Sequence, residues 1–318
     1  MKRKYLALLL LCLVLIAANG CASFIVNKGI ASPRPESKIE KNNERNRERW
    51  EALVPGIMPW MDSLRSAGVM RDTFIVVDGC RLHALFAPAP QASRRTAIVV
   101  HGYNAGPPNI MMLARMYRDS LGFNVLTPSL RHHSYSEGNC VQMGWNDRLD
   151  VLKWAEIAHR HFDDTLQVLH GMSMGAATVM MASGEATPDY IRAFVEDCGY
   201  TSVWEEFNYI SHHYLKRDSL LVQRIYDRTE RKFDLDLSEA SSVRQLAKCS
   251  KPMLFIHGDA DKLVPVEMAR KNYDAKTRGY KELWIVPGAA HSRAFPCYPE
   301  EYTERVRRFI AEHVLKGD

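Results

Sequence analysis

Hydrophobic positions along the chain fall into three regimes. Tyr5 to Ala18 is almost continuously apolar behind the basic Lys2, Arg3 and Lys4. From Ile39 to about Ala67 the pattern predicts one or two helices, interrupted by Pro55 and Pro59. From Arg71 onward, short runs of β-branched and apolar residues alternate with helix-length segments. The predicted strands are Thr73–Val77, Arg81–Ala87, Thr96–His101, Asn124–Ser129, Leu166–His170, Ala193–Glu196, Pro252–His257 and Glu282–Val286. Asp78-Gly79 joins the first two as a hairpin. Helices are predicted over Ile110–Ser120, Asp147–His161, Ala176–Ser183, Val266–Ala275 and Glu301–Leu315, with a short turn at Val243–Ala247. A hairpin followed by repeated β-α units predicts an α/β fold: a mostly parallel eight-stranded sheet with helices on both faces. Residues 200–251 hold no convincing strand and are rich in aromatic and charged residues. They are expected to form a small helical cap insertion over the carboxyl ends of the strands, where open α/β sheets bind ligands.

The organisation that follows is an address segment over residues 1–26, a linker with N-terminal helices over 27–70, and a catalytic domain over 71–318. The linker expectation rests on the polar stretch from Asn27 to Lys38 with Pro33 and Pro35. The address segment has the basic and apolar regions of an export signal. Ala18-Asn19-Gly20-Cys21 resembles a bacterial lipoprotein processing site, which makes Cys21 the expected lipidation residue, although Leu is usual where Ala18 stands. An uncleaved signal anchor is the alternative, because no charge appears from Tyr5 to Val26. Both readings hold the catalytic body outside the cytoplasm on a membrane, and the basic residues before the apolar run favour that orientation.

Composition changes this picture little. The chain has 318 residues, 46% hydrophobic and 25% charged, which is ordinary for a globular protein. The net charge of +5 lies partly in the first four residues, and no basic stripe with interleaved aromatics supports nucleic-acid binding. The mixed-sign run from Glu40 to Arg49 reads as a solvated helix face. The seven cysteines are scattered without a C-x-x-C pair, so neither a disulfide framework nor a cysteine metal site is expected.

The chemistry concentrates in one motif. Gly171-Met172-Ser173-Met174-Gly175 is a G-x-S-x-G pentapeptide between a predicted strand and a predicted helix. Strand, sharp turn, helix is the context in which such a serine acts as a nucleophile. A serine nucleophile needs a base and an acid that orients the base, and here they are expected later in the chain in the order Asp, His. His291 follows the eighth strand. Asp261 follows the seventh, with Asp259 and Asp197 as alternative acids. The oxyanion donors are expected at the backbone N–H of Met174 and, on the loop His101-Gly102-Tyr103-Asn104, of Tyr103. His101 is expected to shape that loop. His132 and His133 are adjacent, so one of them is a candidate for facing the pocket. Met111, Met112, Met143, Met172 and Met174 read either as core filling or as an apolar acyl pocket.

His101-Gly102-Tyr103-Asn104, the segment Gly144-Trp145-Asn146-Asp147-Arg148-Leu149-Asp150, the Ser173 elbow and Glu196-Asp197-Cys198-Gly199-Tyr200-Thr201-Ser202 together resemble the α/β-hydrolase superfamily from about Arg71 to the C-terminus. Within it the chain is similar to bacterial extracytoplasmic or membrane-anchored hydrolases related to prolyl oligopeptidase and dienelactone hydrolase. The resemblance favours Asp261 as the acid, because Gly-x-x-Asp followed by Val-Pro recurs in relatives. It implies cleavage of small-molecule esters without a cofactor or metal. Peptidase and acyltransferase activities, or a non-enzymatic binding role, are the alternatives. One stretch departs from the family: relatives carry Asp-x-Arg-Gly-His-Gly-x-Ser where this chain has Ser129-Leu130-Arg131-His132-His133-Ser134-Tyr135-Ser136.

Overall fold

The computed structural model describes residues 20–32 and 34–315. Most of the address segment, residues 1–19, therefore lies outside the described residues. Among the described residues no helix is long and apolar enough to cross a membrane.

The eight expected strands are all present: β1 (Arg71–Val77), β2 (Cys80–Ala87), β3 (Arg95–Val100), β4 (Asn124–Pro128), β5 (Leu166–Met172), β6 (Ile191–Asp197), β7 (Met253–Gly258) and β8 (Lys281–Val286). They form one sheet in the order β1-β2-β4-β3-β5-β6-β7-β8. β2 pairs antiparallel with both β1 and β4, and every later pairing is parallel. Asp78 and Gly79 both take positive φ, 49° and 75°, the turn geometry that a two-residue hairpin needs. The chain has an α/β-hydrolase fold.

Both faces of the sheet are covered, and the period of two along the strands divides the core accordingly. Ile98, Val100 and Leu169 point into one cluster, built with the helix Asp147–Phe162 and the cap. Ala97, Val99 and Val168 point into the other, built with Tyr302, Val306, Phe309 and Ile310 of the helix Pro299–His313. The insertion between β6 and β7 is helical, as expected. It contains Val203–Ile210, Ser211–Leu215, Ser219–Phe233, Leu237–Glu239 and Ser242–Leu246. Ser202 and Asp218 cap its two longer helices by accepting from the Glu205 and Leu220 amides.

The N-terminal part differs from its expectation in two respects. The helices are Glu36–Leu53 and Ile57–Ser66, broken at Pro55 but not at Pro59. Pro59 is the third residue of its helix, where an N–H has no intrahelical acceptor and its loss costs no ladder bond. The polar stretch from Asn27 is not an extended linker. Residues 20–25 are helical, Val26–Ile30 continues as a π-helical turn, and Ala22, Val26 and Ile30 are buried at a spacing of four against the core.

Candidate active site

β5 ends at the elbow. Ser173 has φ 61° and ψ −122°, a strained conformation for a non-glycine residue, and its side chain stands at the start of the helix Met174–Ala182. The flanking glycines make the turn possible. A Cβ on Gly171 would lie 2.0 Å from the Gly175 carbonyl oxygen, and one on Gly175 would lie 2.1 Å from that of Val100. The backbone is held from outside as well, because the Ser173 amide donates to the Asp197 carbonyl at 2.8 Å.

The loops after β7 and β8 bring the other two predicted residues to the serine. Ser173 Oγ lies 2.8 Å from His291 Nε2, and His291 Nδ1 lies 2.7 Å from Asp261 Oδ2. The other carboxylate oxygen of Asp261 accepts from the Leu263 and Val264 amides, both at 2.9 Å. Burial by itself raises the Asp261 carboxyl. Hydrogen bonds from His257 and His291 outweigh that and hold it well below the usual carboxylate range. The two rival acids are engaged elsewhere. Asp259 is exposed and accepts from the Gly288 amide at 2.6 Å. Asp197 accepts from the Tyr302 hydroxyl at 3.0 Å, and burial pushes it up to about 6.

Met174 is the first residue of its helix, so its N–H faces out of the helix start beside Ser173. The loop after β3 passes equally close, since a Cβ on Gly102 would sit 3.0 Å from that of Ser173. This places the Tyr103 backbone next to the nucleophile. The Tyr103 side chain donates its hydroxyl to the Gly29 carbonyl at 2.7 Å. His101 is fully buried. Its Nδ1 is 2.8 Å from the Gly102 carbonyl and its Nε2 accepts from the Leu130 amide at 3.0 Å. Burial lowers it to about 4, so it is the neutral pin that its place in the loop suggests.

The departing loop after β4 keeps its position by other means. His133 Nε2 accepts from the Asn104 amide at 3.1 Å, and His132 is bonded to the Gly138 and Ser32 carbonyls. Both histidines are thus tied to backbone. Arg131 forks onto Asp150, with Nε to Oδ2 at 2.6 Å and Nη2 to Oδ1 at 2.9 Å. Buried Asp147 accepts from the Gly144 amide at 2.9 Å and the Arg131 amide at 3.3 Å, and burial pushes it up to about 7. The segment Gly144–Asp150 therefore anchors the rim loop.

A cavity of about 470 Å³ opens on Ser173. Met143 and Met174 line it together with apolar cap side chains, whereas Met111, Met112 and Met172 belong to the core on the far face. Glu206 of the cap also lines it. Glu206 is almost fully buried, its Oε2 has no hydrogen-bond partner, and burial first and the Asp261 charge second push it up to about 8. Cys198, Asp261 and His291 are close enough together to offer three metal ligands. Burial and the charges of Asp197 and Asp261 push the Cys198 thiol well up, which makes it a poor ligand, and the Asp261–His291 pair is already engaged in its own hydrogen bond.

Two single residues and one segment escaped the sequence reading. His257 donates to the Val264 carbonyl at 2.9 Å and lies 3.4 Å from Asp261 Oδ2. Its position four residues before Asp261 was its only signal. Glu206 falls at the buried spacing of its helix, with Val203, Phe207 and Ile210, but its charge masks that signal. Ile25, Gly29 and Ile30 line the cavity from a stretch partly taken for linker.

The fold and this elbow define a serine hydrolase of the α/β-hydrolase class. Residues 129–317 match the prolyl oligopeptidase family, and the chain belongs to that family. It is 28% identical over 229 residues to the uncharacterized Bacillus subtilis protein YqkD, covering 70% of this chain and 73% of that one. The structure resembles the Pyrococcus furiosus esterase Pf2001, with a TM-score of 0.62 and 22% identity over 79% of this chain and 95% of that one. It also resembles the Pyrococcus horikoshii acylaminoacyl peptidase, with a TM-score of 0.59 and 16% identity over 77% of this chain but 41% of the peptidase.

Proposed function

We propose that the chain cleaves carboxylic esters through an acyl-enzyme on Ser173. The observation that carries this reading is the unbroken relay from Ser173 Oγ through His291 to Asp261, at 2.8 and 2.7 Å, opening into an apolar cavity. His291 Nε2 takes the hydroxyl proton as Ser173 Oγ attacks the carbonyl carbon. Asp261 fixes the imidazole by its Nδ1–H and stabilises the imidazolium that forms. The Met174 and Tyr103 amides bind the oxyanion, a contribution of roughly 3 kcal/mol per donor in comparable sites. His291 then protonates the leaving alcohol. Water, deprotonated by His291, releases the carboxylic acid and regenerates the serine.

The test is hydrolysis of p-nitrophenyl esters from acetate to decanoate by the full chain and by its Ser173→Ala variant. Turnover that falls about a thousandfold in the variant supports the mechanism. Equal, slow rates for the two proteins sink it. An amide-cleaving reading is favoured by the family and by the acylaminoacyl peptidase neighbour. Faster release of p-nitroaniline than of p-nitrophenol from the same acyl group would place it first.

The reading extends to location. The apolar run from Tyr5 to Ala18 and the cysteine at position 21 support a catalytic body tethered outside the cytoplasm, by a lipid on Cys21 or by an uncleaved anchor. Precursor accumulation under globomycin supports lipidation, and an unchanged precursor size supports the anchor.

A further inference from the structure

The segment that leads from the address region into the folded body is clasped by four distant parts of the chain. The Gly29 carbonyl accepts from the Tyr103 hydroxyl at 2.7 Å, and the Ile30 carbonyl accepts from the Val141 amide at 2.9 Å. The Ser32 carbonyl is 3.0 Å from His132 Nε2, and Asn27 accepts from Lys232 of the cap at 2.7 Å. Ala22, Val26 and Ile30 face the core. The adjacent face presents Ile25 and Gly29, one helical turn apart, to the cavity that holds Ser173. Cap residues Phe207, Ile210, Leu221 and Ile225 line the same cavity.

We propose that this N-terminal segment is the wall of the acyl-binding pocket, and that Gly29 sets the length of the unbranched, uncharged acyl chain it accepts. The proposal rests on the ester-hydrolysis reading above. The absence of a side chain at Gly29 is what leaves the space: an added Cβ would meet one atom within 4 Å, the Tyr103 hydroxyl oxygen at 3.6 Å. Any larger side chain there extends into the cavity. The remaining lining is apolar apart from two tyrosines, two serines and Glu206. Burial pushes Glu206 up to about 8, so it stays protonated at neutral pH and adds no charge to the lining. Such a surface gains from each methylene removed from water, about fourfold in kcat/KM per group, until the chain meets the wall.

The experiment compares the full-length parent, Gly29→Phe and Ile25→Trp on two readouts. One is turnover of p-nitrophenyl acetate, hexanoate and decanoate. The other is the rate at which short-chain and octyl fluorophosphonates label Ser173. The expected result is a parent preference for longer chains that Gly29→Phe reduces at least tenfold. Acetate turnover and short-chain labelling should fall by less than the decanoate and octyl readouts, because the short acyl group does not reach the wall. Ile25→Trp shifts the preference the same way and covers the case in which Gly29→Phe fails to fold. Unchanged octyl-to-short labelling ratios in a folded variant overturn the proposal. Labelling without ester turnover overturns the ester reading instead, and the labelling ratios still decide the wall.

Discussion

Asp261 Oδ2 takes a 2.7 Å hydrogen bond from His291 Nδ1 while His257 Nε2 stands 3.4 Å from the same oxygen. One carboxylate thus faces two imidazoles, and its second oxygen is filled by two amides. Of the three acids near the strand ends, only Asp261 touches the histidine that reaches Ser173. Asp261→Asn should therefore lower kcat by about ten-thousandfold, through the wrong imidazole tautomer, with little change in fold. Asp259→Asn, at an exposed residue bonded to the Gly288 amide, should stay within about threefold. Steady-state kinetics and circular dichroism on both variants check this, and comparable losses in the two would be incompatible with the assignment.

Glu206 supplies a dependence on pH. Its carboxyl is raised from 4.5 to about 8, so the folded chain keeps the proton across a range in which the unfolded chain has lost it. Its contribution to stability is fully present below about pH 4.5 and is lost as pH rises toward 8. Glu206→Gln removes that loss. The variant should match the parent in melting temperature at pH 5 and exceed it by about 3 °C or more at pH 9. Parallel curves for the two proteins would mean that Glu206 titrates normally.

The elbow glycines should tolerate no side chain. Gly175→Ala places a methyl group 2.1 Å from a strand carbonyl that cannot move without disturbing β3. A loss of about 3 kcal/mol or more is expected, visible as an early midpoint in urea or as insoluble expression. Gly29→Ala, which meets only a hydroxyl oxygen at 3.6 Å, is the control and should leave the midpoint unchanged.

The strands were legible because each is a short run of β-branched and apolar residues between turn signals, and their observed ends differ by at most two residues from the pattern. The order Ser173, Asp261, His291 was legible because each residue follows a strand and the pentapeptide has a steric reason for both glycines. Residues 20–30 were harder. Their partners are Tyr103, Val141 and Lys232, so nothing local marks them as a cavity wall, and Asn27 and Lys28 lend the stretch a polar character. Glu206 differs: Glu205 beside it is half-exposed and pairs with Lys271, whereas Glu206 is buried on the helix face it shares with Val203, Phe207 and Ile210, a spacing of three and four that its charge masks. Contacts between remote segments decide the first case.

The rim loop carries the last prediction. The loop after β4 carries Ser129 and His132, and it is held by the fork of Arg131 on Asp150. Asp150 is 3% exposed, so its charge has little water to turn to. Removing only the cation, by Arg131→Met, leaves that carboxylate uncompensated and should cost about 3 kcal/mol or more. Removing both charges, by Arg131→Met with Asp150→Leu, replaces a desolvated ion pair with apolar contact and should recover most of the loss. The loop also carries His133, which holds the Asn104 amide beside the oxyanion donor, so activity should follow stability in the single variant and return in the double. A double-mutant cycle in urea, read together with ester turnover, measures both. Purely additive losses would show that the loop is held by its backbone bonds and not by the ion pair.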